Sequence, residues 1–109
     1  DPVRTLEKYA GRTAMVHLKD YRIGELPESA LGLLEAGDFT GFMAEFKNVV
    51  QFAEVGEGNL DFPAIIPAAQ AAGAQYLLVE QDELYGRTVW DALQTSYDNL
   101  VAMGHSDLF

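Results

Sequence analysis

Two short stretches hold most of the side chains that could do chemistry. His17-Leu18-Lys19-Asp20 sets an imidazole, an ammonium and a carboxylate directly after the apolar run Ala14-Met15-Val16, and Glu80-Gln81-Asp82-Glu83 follows Tyr76-Leu77-Leu78-Val79. An apolar run that stops abruptly at ionisable groups reads as a buried parallel strand whose carboxyl end opens on a site. Period-2 alternation puts Lys19 on the same strand face as His17. From there an ammonium could meet a phosphate, carboxylate or enediolate oxygen of a substrate, or form a salt bridge with Asp20 or Glu54. His17 reads equally well as a half-buried histidine satisfied by a backbone carbonyl. A carboxylate such as Glu80 at the mouth of a buried strand is costly without a positive neighbour, and Lys19 is a candidate.

The elements that would position these groups follow from spacing. Asp1 and Pro2 open a short helix with Val3, Leu6 and Ala10 on one face, closed by Gly11. Residues 13–18 make a first strand, apolar on both faces and so expected to be covered on both. Residues 21–48 are the least regular, punctuated by Pro27, Gly32 and Gly37, with a helix beginning near Thr40 on the spacing of Phe39, Phe42, Met43 and Phe46. Residues 49–55 form a second strand running into Gly56-Glu57-Gly58-Asn59, which reads more readily as a turn than as a backbone cradle for a ligand. Asp61 caps a helix carrying Phe62, Ile65, Ile66 and Ala69, with Pro67 expected to bend it. Residues 75–79 form a third strand. Thr88 and Asp91 resemble a capping box for a helix whose stripe of Val89, Trp90, Leu93, Tyr97, Leu100 and Val101 is expected to cover the sheet. The tract from Glu80 to Glu83 lacks the alternating ligand spacing and glycine of a calcium loop.

Composition narrows the function classes. The 109 residues suit one domain, and 49% hydrophobic with 22% charged residues is ordinary for a globular protein. Seventeen acidic against seven basic residues give a formal charge of -10, which disfavours nucleic acid and anionic membranes as partners. There is no apolar run of membrane-spanning length. The lack of cysteine removes disulfides and thiolate metal sites and is compatible with a cytoplasmic location. Strands alternating with helices argue a parallel α/β sheet with right-handed crossovers. Three parallel strands cannot close a barrel and leave two edges, so either further strands from a larger parent or other copies of the chain must cover them.

His17-Leu18-Lys19-Asp20, then Glu54-Val55-Gly56-Glu57-Gly58-Asn59-Leu60-Asp61-Phe62, then Leu78-Val79-Glu80-Gln81-Asp82, and Ser96-Tyr97-Asp98-Asn99-Leu100, in that order and spacing, resemble the C-terminal part of the sugar phosphate isomerase/epimerase family, whose members have a xylose isomerase-like TIM barrel. The resemblance spans nearly the whole chain and is weakest over residues 21–48. It implies one partial barrel domain over residues 1–109, with three β/α units corresponding to the sixth, seventh and eighth strands. It also implies a divalent metal held by a glutamate, an aspartate, a histidine and a final glutamate. The last two match His17 and Glu80, and the first two would come from strands this chain lacks, so the metal can be absent here. Manganese, magnesium, cobalt and zinc all suit such donors. By the same resemblance Glu80 would double as an acid-base group and Arg22 would help to grip the substrate, and Lys19 joins them as a candidate catalytic and substrate-binding residue from its strand face alone. The implied reaction is isomerisation or epimerisation of a carbohydrate by proton transfer between adjacent carbons. Alternatives are an inosose dehydratase-like lyase, a phosphodiesterase of the endonuclease IV type, disfavoured by charge and by too few histidines, and a non-catalytic half-barrel that forms homo-oligomers.

Overall fold

The structure, a computed structural model, describes residues 1–109 and shows a mixed α/β arrangement with a small parallel sheet and no closed barrel. Helix α1 (Pro2–Lys8) leads to strand β1 (Met15–Leu18), which is followed after one residue by β2 (Asp20–Ile23). Helices α2 (Glu28–Glu35) and α3 (Phe39–Val49) precede β3 (Val50–Ala53), and the chain then runs through α4 (Phe62–Ala71), β4 (Tyr76–Val79) and α5 (Val89–Ala102). β1 and β4 pair in parallel, with His17 opposite Leu78 and Leu18 opposite Val79. β2 and β3 form a separate antiparallel ribbon, with Asp20 opposite Ala53 and Ile23 opposite Val50.

This corrects the expected count of three parallel β/α units. The segment around residues 49–55 is a strand, but its partner is Asp20–Ile23, in the stretch that looked irregular, and the parallel sheet has two strands. The local reason is that β2 leaves β1 almost without a break, and its Tyr21 and Ile23 have the bulky, branched character that suits a ribbon. α2 also lay hidden, since Pro27 and Gly32 argued against it. Pro27 sits at the N-cap, where it costs little, and Gly32 faces open space in mid-helix.

The sheet is covered on one side only. Leu18 is fully buried and Val16, Leu77 and Val79 are half-buried against a core of Leu6 from α1, Phe62, Ile65, Ile66 and Ala69 from α4, and Leu100 from α5. At about 2 kcal/mol for each large apolar side chain removed from water, this cluster carries most of the hydrophobic stabilisation. On the other face Met15, His17, Tyr76 and Leu78 remain open to solvent, so β1 is not sandwiched as its two apolar faces suggested.

α5 also differs from expectation. It buries Ala92, Ser96 and Leu100, while Trp90 is 80% exposed and Tyr97 44% exposed, so neither covers the sheet. Polar anchoring chooses this face: the buried Ser96 hydroxyl accepts the Val55 N–H at 3.2 Å, and Asn99 Nδ2 donates to the Val55 carbonyl and to Glu57 at 2.9 Å each. Small side chains at 92 and 96 permit the close approach that those bonds need.

Three helix starts follow the sequence closely. Asp1, Asp61 and Thr88 accept the N–H groups of Arg4, Ala64 and Asp91, and Thr88 also donates its hydroxyl to the Asp91 carboxylate. α4 continues through Pro67.

α2 and α3 contribute no residue to this core. α3 buries no residue, and its Phe39, Phe42 and Phe46 pack in a row, the first pair tilted at 6.3 Å between ring centroids and the second stacked at 6.2 Å. The molecule is accordingly open. Its radius of gyration is 16.9 Å, against about 13 Å for a compact domain of this size. It exposes 7180 Å², against roughly 6,000 Å² for a compact monomer of its mass.

Candidate functional site

At the carboxyl ends of β1 and β4 the two ionisable stretches meet. The Glu80 N–H donates to the Leu18 carbonyl at 3.1 Å, which extends the parallel ladder by one residue and brings the side chains that follow each strand face to face. His17 Nδ1 contacts Glu80 Oε2, and Lys19 Nζ donates to Glu80 Oε1 at 2.6 Å and to Asp82 Oδ2 at 2.5 Å. His17 lies on the open face of β1, and Lys19, Glu80 and Asp82 follow the strand ends and are drawn together beside it by their ion pairs.

The electrostatics follow from those contacts. The hydrogen bond to Asp82, and then that to Glu80, hold the Lys19 ammonium above the usual lysine range. Lys19 first and His17 second hold the Glu80 carboxyl below the usual range. Lys19 also lies 5.0 Å from the centre of the Phe52 ring, which brings an aromatic face of the ribbon over the cluster. A cavity of about 470 Å³ opens there, lined by Lys19, Tyr21, Val50, Gln51 and Phe52.

Two of the sequence-predicted site residues, His17 and Glu80, are brought together, and Lys19 joins them. Lys19 takes neither alternative partner, Asp20 or Glu54. Arg22 is placed elsewhere: it lies 3.5 Å from Glu54 and makes no ion pair with the Glu80 cluster. Glu54 is nearly sealed from solvent, its side chain 3% exposed, and its other oxygen takes Arg87 at 2.7 Å. Arg87 is held in turn by the Asp91 carbonyl and the Thr95 hydroxyl. The turn that delivers Arg87 runs through Tyr85 and Gly86, both at positive φ, 48° and 85°, and is closed by the Arg87 N–H on the Leu84 carbonyl. The Tyr85 hydroxyl accepts the Phe52 N–H at 3.1 Å, which fixes this unfavourable backbone against the ribbon.

Three residues were not singled out as such by the sequence. Asp82 has the same i, i+2 relation to Glu80 that Lys19 has to His17, a signal that was present. Glu54 was weighed only as an alternative partner for Lys19, and Arg87 had no comparable signal. Asp20 has a different role from its neighbours. It is fully buried, and its carboxylate accepts four main-chain N–H groups: Tyr21 at 2.8 Å and Leu60 at 3.1 Å on one oxygen, Gly58 at 2.9 Å and Gly56 at 3.1 Å on the other. The glycine loop is therefore a cradle whose occupant is the protein's own aspartate. A Cβ on Gly58 would lie 2.3 Å from Asp20 Oδ1 and 2.4 Å from the Tyr21 carbonyl oxygen, which is why glycine stands there.

For a metal, the chain offers an imidazole nitrogen and a carboxylate oxygen already in contact. No cluster of three or more histidine, aspartate or glutamate side chains is arranged to hold an ion. An imidazole and a carboxylate are donor types that suit a borderline divalent ion. No helix is long and apolar enough to cross a membrane. Compared with protein-family models, with curated proteins and with solved structures, the chain matches none, so its functional reading rests on this geometry and on the sequence resemblance.

Proposed function

We propose that the chain supplies two consecutive strands and one wall of the active site of a divalent-metal-dependent carbohydrate isomerase or epimerase built on a TIM barrel. The observation that carries this reading is the meeting of His17, Lys19, Glu80 and Asp82 at the carboxyl ends of adjacent parallel strands, beside the one sheet face that no helix covers. That open face, with Met15, Tyr76 and Leu78, has the character of a barrel interior, and helices on the opposite face are what a barrel's outer layer requires. The free edges of β1 and β4 are where further strands would add.

In this reading His17 and Glu80 would hold the metal, which would supply polarisation of neighbouring carbonyl and hydroxyl oxygens. Glu80, kept ionised by Lys19 and His17, takes a proton from a carbon beside the carbonyl, and a proton is returned to the neighbouring carbon to complete isomerisation, or to the opposite face of the same carbon to complete epimerisation. Lys19 keeps the carboxylate aimed and presents positive charge toward a developing enediolate oxygen. Asp82 keeps Lys19 in place from the side opposite Glu80. A lyase of the dehydratase type would use the same strand-end groups to remove a hydroxyl.

Manganese titration followed by NMR line broadening tests this reading. Broadening should centre on His17 and Glu80, be weak because two ligands are missing, and vanish in Glu80→Gln. Broadening centred on another acidic region, or a micromolar site surviving in Glu80→Gln, would remove the basis for it.

A further inference from the structure

We infer that the chain forms a two-fold symmetric dimer through the outer flank of α5, each copy covering the other's stripe of Trp90, Leu93, Tyr97 and Val101. The inference does not depend on the isomerase reading, because α5 packs on the sheet face opposite His17.

α5 has three sides. Ala92, Ser96 and Leu100 are buried against the core. Asp91, Gln94 and Asp98 are exposed and already engaged, Thr88 donating to Asp91 and Gln94 to Asp98. Between these sides run Trp90, Leu93, Tyr97 and Val101, three or four residues apart and therefore in one line along the helix. They are 80, 40, 44 and 38% exposed. The helix carries no lysine or arginine whose stem could fold over them.

With Val89 at its edge, the stripe leaves about 500 Å² of apolar side chain in water, toward the upper end of what a monomer tolerates in one patch. Two such stripes face to face would remove about 1,000 Å², where specific interfaces begin. The order of side-chain sizes selects a second copy as the occupant. In antiparallel helices related by a two-fold axis, residues equidistant from the axis meet. With the axis between Leu93 and Tyr97, each Leu93 lies level with the second copy's Tyr97, and each Trp90 with its Val101, so a large side chain meets a smaller one at every level. A parallel pairing would set Trp90 against Trp90. The stripe itself is uncharged, so the net charge of -10 on each copy is what opposes association, and salt screens that repulsion. A basic partner would show the opposite salt dependence. The other apolar faces have weaker claims: Met15, Tyr76 and Leu78 border the ion cluster, and α3 exposes only Phe39 and Phe46 of its aromatic row.

Sedimentation equilibrium of the wild-type chain should show a reversible monomer-dimer equilibrium that tightens on adding sodium chloride. Emission from the chain's only tryptophan should shift to the blue over the same concentration range. Trp90→Glu and, separately, Tyr97→Glu should weaken association by about tenfold or more with unchanged far-UV circular dichroism. Tyr76→Glu on the open sheet face and Phe39→Glu on α3 should leave it as it is. Because the chain has no cysteine, its register can be read by cross-linking, which stays decisive even where a glutamate variant unfolds. An equimolar mixture of Leu93→Cys and Tyr97→Cys should oxidise to the mixed disulfide in preference to either homodimer. A monomer at every concentration, a dimer that salt weakens, a dimer that survives both folded α5 variants or is lost in Tyr76→Glu or Phe39→Glu, or cross-linking mainly into homodimers would each overturn the inference.

Discussion

At the carboxyl ends of the paired strands β1 and β4 the chain makes two opposite uses of a carboxylate. Asp20 is withdrawn from solvent and saturated by four backbone N–H groups, whereas Glu80, met by His17 and Lys19, sits at the open end of the sheet among side chains only. Main-chain partners are fixed by the fold, so Asp20 organises the loop from Gly56 to Leu60 and can do nothing else. Side-chain partners can exchange, so the Glu80 cluster can admit a ligand at small cost to the fold. Buried charge saturated by backbone is structural, and charge balanced by side chains at a strand mouth is available for chemistry.

The contrast can be broken most severely at Asp20. Asp20→Ala should cost about 4 kcal/mol or more in chemical denaturation, since several buried N–H groups lose a charged acceptor together. A loss below about 1 kcal/mol would mean that the loop holds itself and that the carboxylate is incidental. Gly58→Ala comes next, at about 2–3 kcal/mol, because the new methyl must push apart backbone and carboxylate that are already in contact. Ser96→Ala should cost about 1–2 kcal/mol by leaving the buried Val55 N–H unpaired. Glu80→Gln belongs at the other end, with the smallest shift in Tm of the four and loss of the manganese response.

The pH dependence sharpens the same distinction. Glu80 is depressed, so its contribution is present above the ordinary carboxyl value of 4.5 and is lost as pH falls through the lowered value. Lys19 is raised, so its contribution is full below the ordinary lysine value of 10.5 and is lost as pH rises through the higher one. The difference in Tm between wild type and Glu80→Gln should therefore shrink on acidification below 4.5; a constant difference would mean that the Glu80 contacts do not persist in solution.

Local signals were legible where a residue acts on its own neighbourhood. The caps at Asp1, Asp61 and Thr88, the Phe62-Ile65-Ile66-Ala69 stripe and the closeness of His17 to Lys19 depend on spacing within one stretch. What escaped depends on partners far along the chain. Nothing local tells residues 50–53 to pair with residues 20–23 and not with β1, because an apolar strand looks the same in either setting. α5 turned its larger apolar residues outward because Ser96 and Asn99 bond to Val55, and a hydrophobic stripe carries no record of that bond. Arg22 and Arg87 meet on Glu54 only once the ribbon and the Tyr85 turn exist.

The Asp20 carboxylate spans the chain from residue 20 to residues 56–60, and β2 and β3 bring Ile23 level with Val50. Everything between those two residues is thus an insertion whose ends are tied independently of its content. Loop entropy rises only logarithmically with length, so the helical arm can lengthen, shorten or be exchanged for a tight turn at little thermodynamic cost. Such an arrangement separates evolvability from stability: the arm from Gly24 to Val49 is free to diversify what the molecule meets while the strand ends keep their register.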